Sequence, residues 1–421
     1  MSTPVALARW RRARASKRAC TVVCIGDSIT YGPAMPHIGI TRNWVTQLAY
    51  AIDSSSPHSG DGFRGLWHHD EWTSTGKWTQ TKPMDPFDVA PFGKGLYSSG
   101  RVADQLTWTK PADLEVGAFE LYMFAVPGAG RWQYRVDGGA WRSRREARET
   151  GVKLERILVR QSVTDRVELR GYDAEKPGIT AIAGIRTYGS PHSEDWPNVV
   201  HNLGHQEQTL AQFCRRSAGD PFALLDLLRP DLVIVLFSND VRFRDADRFG
   251  DALSRLISRV APYADTLLVT PFEQRPPRVD CDATTIAGST AVTSPTALFL
   301  HTDTGASLRG TNVARGARIA SVQSTRHITM TLPAVGSSSV GDLMICGRRD
   351  MMVQAMYRGF AKAVAAAKGC AVVDLHDLWT RQFGPGWDGA YAAGLMHDGL
   401  HPTQRGHDHI AASVKERLEL E

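Results

Sequence analysis

The chain has 421 residues, of which 42% are hydrophobic and 22% charged, and a formal net charge of +5 at pH 7. This composition is ordinary for a globular protein, and no apolar run reaches the roughly 18 residues of a membrane-spanning helix. Basic residues before position 20 account for more than the whole net charge, and the rest of the chain is close to neutral. Affinity for nucleic acid is therefore not predicted.

The basic N-terminal segment is predicted to form a short surface helix from about Pro4 to Ala19, which packs Val5, Leu7 and Trp10 on the core. A transit peptide or a patch for an anionic surface is the alternative interpretation. The segment has no apolar stretch of the kind found in secretory signals, so no signal peptide is predicted and the location of the protein stays open.

Residues 21–25, TVVCI, form the first apolar run and have the length of a buried strand. The run leads directly into Gly26, Asp27 and Ser28, which are residue types that ordinarily form turns. The alternative is a nucleophile held at the carboxyl edge of a parallel sheet, where open α/β folds place their sites. A choice between the two interpretations requires partners elsewhere in the chain.

Three long segments differ in composition from the rest of the chain. Residues 54–100 are rich in glycine, proline and aromatic residues, and are predicted to be a loop that either lines a sugar-binding cleft or buries its own rings. Residues 101–196 contain short strands and the hairpin signal Asp137-Gly138-Gly139, which predicts a β-sandwich of the jelly-roll kind. Residues 275–348 hold alternating strands rich in threonine, serine, alanine and valine between glycine turns, which predicts a smaller β-rich module.

The remaining parts are predicted to alternate strands with helices. Their strands are continuous apolar runs, so both faces of the sheet should be covered. We therefore predict an α/β fold, a three-layer α/β/α sandwich with a parallel, flavodoxin-like sheet. The predicted strands are 21–25, 198–202, 231–237, 266–271 and 371–375. The predicted helices are 41–52, 206–216, 221–228, 246–261, 351–367 and 404–418.

The predicted division of the chain is a core in three parts with two insertions. The core consists of residues 1–100, including the aromatic-rich loop, 197–274 and 349–421. The insertions are the β-sandwich domain, 101–196, and the β-rich module, 275–348. Because the module starts directly after a core strand and ends where a helix begins, it is predicted to interrupt a crossover connection.

The cysteines and histidines do not have the spacing of a metal site. The six cysteines form no zinc motif, and Cys24 and Cys370 are predicted to be buried thiols in core strands. Cys281 and Cys346 bracket the β-rich module, and a disulfide between them is left open. The histidines near the C-terminus, at 397, 401, 407 and 409, have no further ligand set, so neither a metal nor a cofactor is predicted.

Four predicted strand ends bring polar groups to one edge of the sheet. Ser28 follows the first strand, Gly204 the second and Asn239 the third, while Asp398 and His401 lie three residues apart just before the last helix. Nucleophilic acyl transfer needs a base for the serine proton and a carboxylate that holds the imidazole. It also needs donors for the developing oxyanion, which the backbone N–H of Gly204 and the amide of Asn239 can supply.

These motifs resemble those of the SGNH hydrolases, the GDSL esterase and lipase family. GDSIT matches the family's first block, which implies Ser28 as nucleophile with its own N–H as an oxyanion donor. Gly204, in NLGHQEQT, matches the glycine of the second block, and Asn239, in FSND, matches the asparagine of the third. DGLHPT carries Asp398 and His401 of the last block.

The resemblance covers the core parts and neither insertion. It departs from the family in the third block, which usually reads Gly-x-Asn-Asp. Here Phe237 and Ser238 precede the asparagine, so the glycine has no counterpart and the backbone geometry beside Asn239 is open.

The resemblance implies a serine esterase that hydrolyses carboxylic esters through a Ser-His-Asp triad. Short acyl groups, acetyl in particular, on a cell-surface carbohydrate are the predicted substrate. No long apolar segment suggests a lipid lid, and residues 101–196 resemble the accessory sandwiches of carbohydrate esterases. The 54–100 loop leaves the core directly after the first predicted core helix, 41–52, a position from which it can extend over the Ser28 edge of the sheet.

The alternatives are a lipid esterase of the same family, or a glycan-binding surface protein of the phage-tail type with secondary or lost hydrolase activity. The predicted partner is an acylated glycan or another ester, with no nucleic acid and no membrane span. Assembly into a larger particle or a homo-oligomer is left open, and action at a bacterial cell surface or in a virion fits both the esterase and the binding alternative.

Overall fold

The computed structural model describes residues 6–16, 19–32, 43–52, 64–65, 71–80, 96–98, 104–112, 114–125, 131–145, 153–172, 180–189, 198–204, 209–214, 222–238, 240, 246–274, 278–345, 351–397 and 400–420. Strands are numbered β1–β22 and helices α1–α10 in chain order.

Five parallel strands form the core sheet, in the order β13-β1-β14-β15-β22. Almost every residue of β1, β13, β14 and β15 is buried, as expected for a parallel sheet covered on both faces. The strands are β1 (Thr21–Gly26), β13 (Val199–Gly204), β14 (Leu232–Leu236), β15 (Asp265–Thr270) and β22 (Ala371–Asp374).

Helices cover both faces of the core sheet, which confirms the predicted three-layer architecture. One face carries α4 (Leu210–Phe213), α5 (Ala223–Leu228), α6 (Ala246–Val260) and α7 (Met351–Lys368). The other face carries α1 (Ala8–Ala15), α3 (Trp44–Ile52), α8 (Leu375–Phe383), α9 (Gly386–Ala392) and α10 (Gln404–Arg417). The remaining helix, α2 (Ser28–Tyr31), is a single turn at the end of β1. None of the described helices is long and apolar enough to cross a membrane.

The N-terminal helix α1 packs on the core as predicted. Leu7 and Trp10 are buried, and the backbone N–H groups of Arg9 and Trp10 donate to Oδ2 of Asp265, at the start of β15. Val5, the third residue of that prediction, lies outside the described residues. The arginines of α1 are exposed, and Arg14 lies over the ring of Trp10 and donates to the carbonyl of Ile52.

The first insertion is an antiparallel β-sandwich between β1 and β13. Its inner sheet has the order β10-β7-β12-β5-β4, with β2 paired to β12, and its outer sheet has the order β3-β6-β11-β8-β9. The inner strands are β2 (Arg64–Gly65), β4 (Trp78–Gln80), β5 (Leu96–Ser98), β7 (Ala118–Ala125), β10 (Lys153–Val159) and β12 (Thr180–Tyr188). The outer strands are β3 (Trp72–Thr75), β6 (Gln105–Thr109), β8 (Arg131–Val136), β9 (Arg142–Arg145) and β11 (Arg166–Gly171).

Strands from residues 64–98 belong to this sandwich, whereas the sequence analysis places them in an aromatic-rich loop of the core. Trp72 pairs with Trp108 across the outer sheet and is buried in the sandwich interior, against which Trp78 also packs. The described tryptophans of this segment, Trp72 and Trp78, therefore pack their rings against the sandwich interior. The strands have two to four residues, too few for a periodic pattern to reveal them.

The inner sheet is shared between the sandwich and the core. Phe119, Leu121 and Met123 of β7 face the sandwich interior, while the alternate residues Tyr122 and Phe124 pack against core helices. This accounts for the burial of all eight residues of β7. The sandwich therefore packs onto the core through strands β7, β10 and β12 of its inner sheet.

The second insertion is the predicted β-rich module, and it follows the fourth core strand. Its six antiparallel strands have the order β18-β21-β16-β17-β20-β19 and enclose a small apolar core of their own. They are β16 (Arg278–Thr285), β17 (Ala291–Thr293), β18 (Leu308–Gly310), β19 (Ile319–Ser324), β20 (His327–Met330) and β21 (Ser338–Ile345).

Two of the cysteine predictions can be compared with the structure. Cys24 is a fully buried free thiol, and burial raises its pKa well above the ordinary value. Cys370 is also a free thiol, but it is only half-buried and precedes β22 instead of lying within it. Cys346 and the side chain of Cys281 lie outside the described part of the chain, so their pairing stays a prediction.

Candidate active site

The serine predicted as nucleophile lies in a tight turn between β1 and the short helix α2. We call residues 26–31 the serine turn. Asp27 caps α2, because its Oδ1 accepts the N–H of Ile29 at 3.0 Å. A Cβ on Gly26 would lie 2.1 Å from Oγ1 of Thr30 and 2.2 Å from the carbonyl oxygen of Leu236, so only glycine fits where the strand meets the turn.

Ser28 and His401 are brought into direct contact from opposite ends of the chain. The distance between Ser28 Oγ and His401 Nε2 is 3.2 Å, and Ser28 is only 6% exposed. A hydroxyl and an imidazole at this separation can exchange a proton, which is what a serine nucleophile needs.

The loop that carries His401 is held by backbone hydrogen bonds. The N–H of His397 donates to the carbonyl of His401 at 2.9 Å, and the N–H of Thr403 donates to the carbonyl of Leu395 at 2.8 Å. Thr403 also caps α10 by accepting the N–H of Gly406. Asp398 lies outside the described residues, so its role beside His401 stays a prediction.

The end of β13 packs directly on the serine turn. A Cβ on Gly204 would lie 2.1 Å from the backbone nitrogen of Tyr31, which explains the glycine. The N–H of Gly204 donates to Oδ1 of Asn202 at 3.0 Å, and Nδ2 of Asn202 donates to the carbonyl of Thr30 at 2.9 Å. Gly204 therefore lies against the Thr30–Tyr31 part of the serine turn, and an oxyanion would have to share its N–H with Asn202 or displace that side chain.

Nothing in the sequence indicates the role of Asn202. It is a residue of β13 whose side chain connects the strand to the backbone of the serine turn. Only the parallel pairing of β1 with β13, which aligns Cys24 with Asn202 and Gly26 with Gly204, brings these segments together.

The residues on both sides of Asn239 are held firmly, although Asn239 itself is not described. Asp27 Oδ2 accepts both the N–H and the hydroxyl of Ser238 at 2.6 Å. Asp240 accepts the N–H groups at the start of α4, at 2.7 Å from Leu210 and 3.3 Å from Ala211. Ser238, the residue before Asn239, thus donates two hydrogen bonds to the serine turn, while Phe237 occupies the position of the expected glycine.

Two buried titratable groups flank the site. Burial, together with the negative charge of Asp27, raises the pKa of the Asp240 carboxyl to about 7, although backbone N–H groups bind its oxygens. Burial lowers the pKa of His407 to about 4, and its Nδ1 accepts the N–H of Trp44 at 3.4 Å. Within the described residues, no group of three or more histidine, cysteine, aspartate or glutamate side chains could hold a metal ion.

No protein-family model matches the chain, and no curated protein matches it. Among solved structures, a peptidoglycan O-acetylesterase aligns over 99% of this chain and 97% of its own, with a TM-score of 0.56 and 14% identity. Shorter matches include a lipase/acylhydrolase from Enterococcus faecalis, with a TM-score of 0.30 and 16% identity over 53% of this chain and 78% of its own. A family 35 carbohydrate binding module from Clostridium thermocellum matches with a TM-score of 0.23 and 10% identity, over 29% of this chain and 95% of its own.

The core sheet, its helices and the serine turn define an α/β protein with its candidate site at the carboxyl edge of a parallel sheet. More narrowly, the chain shares its fold with the peptidoglycan O-acetylesterase, and its own core sheet carries two β-rich insertions.

Proposed function

We propose that the protein is a serine esterase that removes short acyl groups, acetyl in particular, from a cell-surface carbohydrate. The observation that carries the proposal is the 3.2 Å separation of Ser28 Oγ from His401 Nε2 at the carboxyl edge of the core sheet. This contact joins residues 373 positions apart, and a turn-forming role for Ser28 would not require it.

In the proposed reaction, Ser28 Oγ attacks the acyl carbon while its proton passes to Nε2 of His401. The carbonyl oxygen becomes an oxyanion, held by the N–H groups of Ser28 and Gly204 and the amide of Asn239. His401 then gives the proton to the leaving alcohol oxygen, and an acyl-serine remains. A water molecule then attacks the acyl carbon and gives a proton to His401, which passes it to Ser28 Oγ as the acyl–oxygen bond breaks and the acid is released. Asp398 orients the imidazole and stabilises its positive charge in both steps.

The substrate class is supported by the extent of the structural likeness. The peptidoglycan O-acetylesterase aligns over nearly the whole chain, and the alignment therefore includes the β-sandwich and the β-rich module as well as the core. The substrate class that we propose is an acetylated glycan such as O-acetylated peptidoglycan. A bacterial cell surface is the corresponding site of action.

The test is the release of acid from a series of esters. Aryl esters with acyl chains of two to eight carbons are compared with O-acetylated peptidoglycan and with acetylated polysaccharides that lack its peptides. We expect a preference for two-carbon esters and acetate release from a glycan. A preference for eight carbons with no acetate from any glycan would indicate a lipid esterase instead.

Two variants accompany the series. Ser28→Ala removes the nucleophile and should abolish acid release while the unfolding transition stays that of the parent protein. Ser324→Ala removes an exposed serine of the β-rich module and should leave hydrolysis unchanged. Binding of the acetylated glycan by the Ser28→Ala protein, together with no hydrolysis by the parent protein, would favour a glycan-binding role.

A further inference from the structure

A chain of buried hydrogen bonds runs from helix α7 to the serine turn. Its members are Gln354, Gln274, Ser238 and Asp27, all of them buried. We call Gln274 and Gln354 the glutamine clamp. The two residues lie 80 positions apart, one just before the β-rich module and the other in the first turn of α7 after it.

Gln354 binds the backbone of Gln274 with both ends of its side-chain amide. Its Oε1 accepts the N–H of Gln274 at 2.7 Å, and its Nε2 donates to the carbonyl of Gln274 at 3.0 Å. An N–H faces the amide oxygen and a carbonyl faces the amide nitrogen, so the orientation of the amide is determined by its partners. The clamp thus joins the segment that leads into the β-rich module to the helix that follows it.

The side chain of Gln274 continues the path toward the site. Its Nε2 donates to the carbonyl of Ser238 at 2.8 Å, while the N–H and hydroxyl of Ser238 donate to Asp27. Ser238 is therefore held from two sides. Its carbonyl accepts from Gln274 while its N–H and hydroxyl donate to Asp27, so the polar groups of the residue that precedes Asn239 are all bonded.

Asp27 connects Ser238 to the residues next to the nucleophile Ser28. The oxygen opposite the one bound to Ser238 accepts the N–H of Ile29, the residue that follows Ser28. A shift of Ser238 would consequently move both the cap of α2 and the residue proposed to bind the oxyanion. The rate of a catalysed reaction falls when a catalytic group moves by even about 1 Å, because the reacting atoms are no longer aligned.

We propose that Gln274 is a positioning residue, held by Gln354, that fixes the Ser238–Asn239 peptide and the serine turn for ester hydrolysis. The inference rests on the proposed function for its kinetic consequence, but its structural part is independent of it. The glutamine clamp also connects the start of the β-rich module to the serine turn through hydrogen bonds.

The first variant is Gln274→Leu, which keeps the size of the side chain and removes its donor. Loss of this bond leaves a buried carbonyl without its partner, and we expect kcat to fall about tenfold with KM within about twofold of the parent value. Gln133→Leu is the matched control, because Gln133 is a buried glutamine that donates to Ser143 in the outer sheet, away from the core. Its kcat should not change.

The second variant, Gln274→Glu, gives a readout that a loss of stability alone would not produce. A protonated carboxyl can donate to the carbonyl of Ser238, whereas an ionised carboxylate repels it. The ratio of the kcat of Gln274→Glu to that of the parent protein should therefore rise as the pH falls. A ratio that is the same at every pH, or a kcat of Gln274→Leu within twofold of the parent value, would overturn the positioning role.

A measurement without turnover separates this proposal from the proposed function. Amide hydrogen exchange of the Ser238 N–H should be about tenfold faster in Gln274→Leu than in the parent protein, and unchanged in Gln133→Leu. If the parent protein hydrolyses no ester, the proposed function fails while this exchange still decides the structural part. Unchanged exchange at Ser238, in an active enzyme, would refute the clamp and leave the esterase intact.

Discussion

Asp240 should make the stability of the protein fall as the pH rises from about 4 to about 7. Its pKa is raised from an ordinary value of 3.8 to about 7, mainly by burial. Between these values the folded state keeps a proton that the unfolded chain has lost, so the free energy of unfolding decreases with rising pH. A shift of about three units corresponds to about 4 kcal/mol, at about 1.4 kcal/mol per unit.

His407 should act in the opposite direction over almost the same range. Its pKa is lowered from 6.5 to about 4 by burial. Between these pH values the unfolded chain binds a proton that the folded protein does not bind. The free energy of unfolding then decreases as the pH falls, by about 3 kcal/mol in total. In the parent protein the contributions of Asp240 and His407 to the pH dependence of the unfolding free energy largely cancel. Variants that remove one group at a time are needed to separate them.

The assay is chemical denaturation of the parent protein, Asp240→Asn and His407→Asn at several pH values between 4 and 8. The unfolding free energy of Asp240→Asn minus that of the parent protein should rise with pH, by about 4 kcal/mol over the range. The same difference for His407→Asn should rise as the pH falls. A difference for Asp240→Asn that is constant with pH would refute the assignment of a raised pKa to this buried carboxyl.

Three further substitutions test the site and its supports. Asn239→Ala should lower kcat by about 10²–10³ with little change in KM, because an oxyanion donor acts mainly in the transition state; a change confined to KM would exclude that role. Gly204→Ala should lower kcat at least about tenfold, since a methyl group must displace the serine turn, while Gly189→Ala, whose new methyl group meets nothing closer than 3.9 Å, should not. Glu120→Gln should lower the unfolding free energy by about 2 kcal/mol in a denaturant titration, because it removes a buried carboxylate that accepts from Tyr122 and pairs with an arginine; an unchanged midpoint would contradict this.

The core sheet could be predicted because its strands are apolar runs that need no partner to be recognised. The segments VIVLF and LLVT are buried on both faces of the sheet. A strand buried on both faces is apolar at every position, so it can be recognised directly in the sequence. Ser28 and His401 could be predicted because each lies in a short motif at a predicted strand or helix end. Their contact follows once the sheet is parallel, since its carboxyl ends share one edge.

Features that depend on distant partners could not be predicted. Trp72 pairs with Trp108, and Ser98 pairs with Thr180. The strands that carry Trp72 and Ser98 have only four and three residues and show no periodic pattern of their own. Helix α9 contains two glycines, at 386 and 389, which lower helix propensity, and tertiary packing of Trp387 outweighs them. The glutamine clamp joins positions 274 and 354, and nothing local in either segment indicates the other.

The central claim is that Ser28 becomes acylated during turnover, and the mass of the acid-quenched enzyme tests it most directly. The protein is mixed with an excess of an aryl acetate, quenched at low pH within the first turnovers, digested and analysed by mass spectrometry. The account predicts one added acetyl group on the peptide that contains Ser28, and none on that peptide in the Ser28→Ala protein. Turnover with the acetyl group on another residue, or equal turnover by the Ser28→Ala protein, would contradict it.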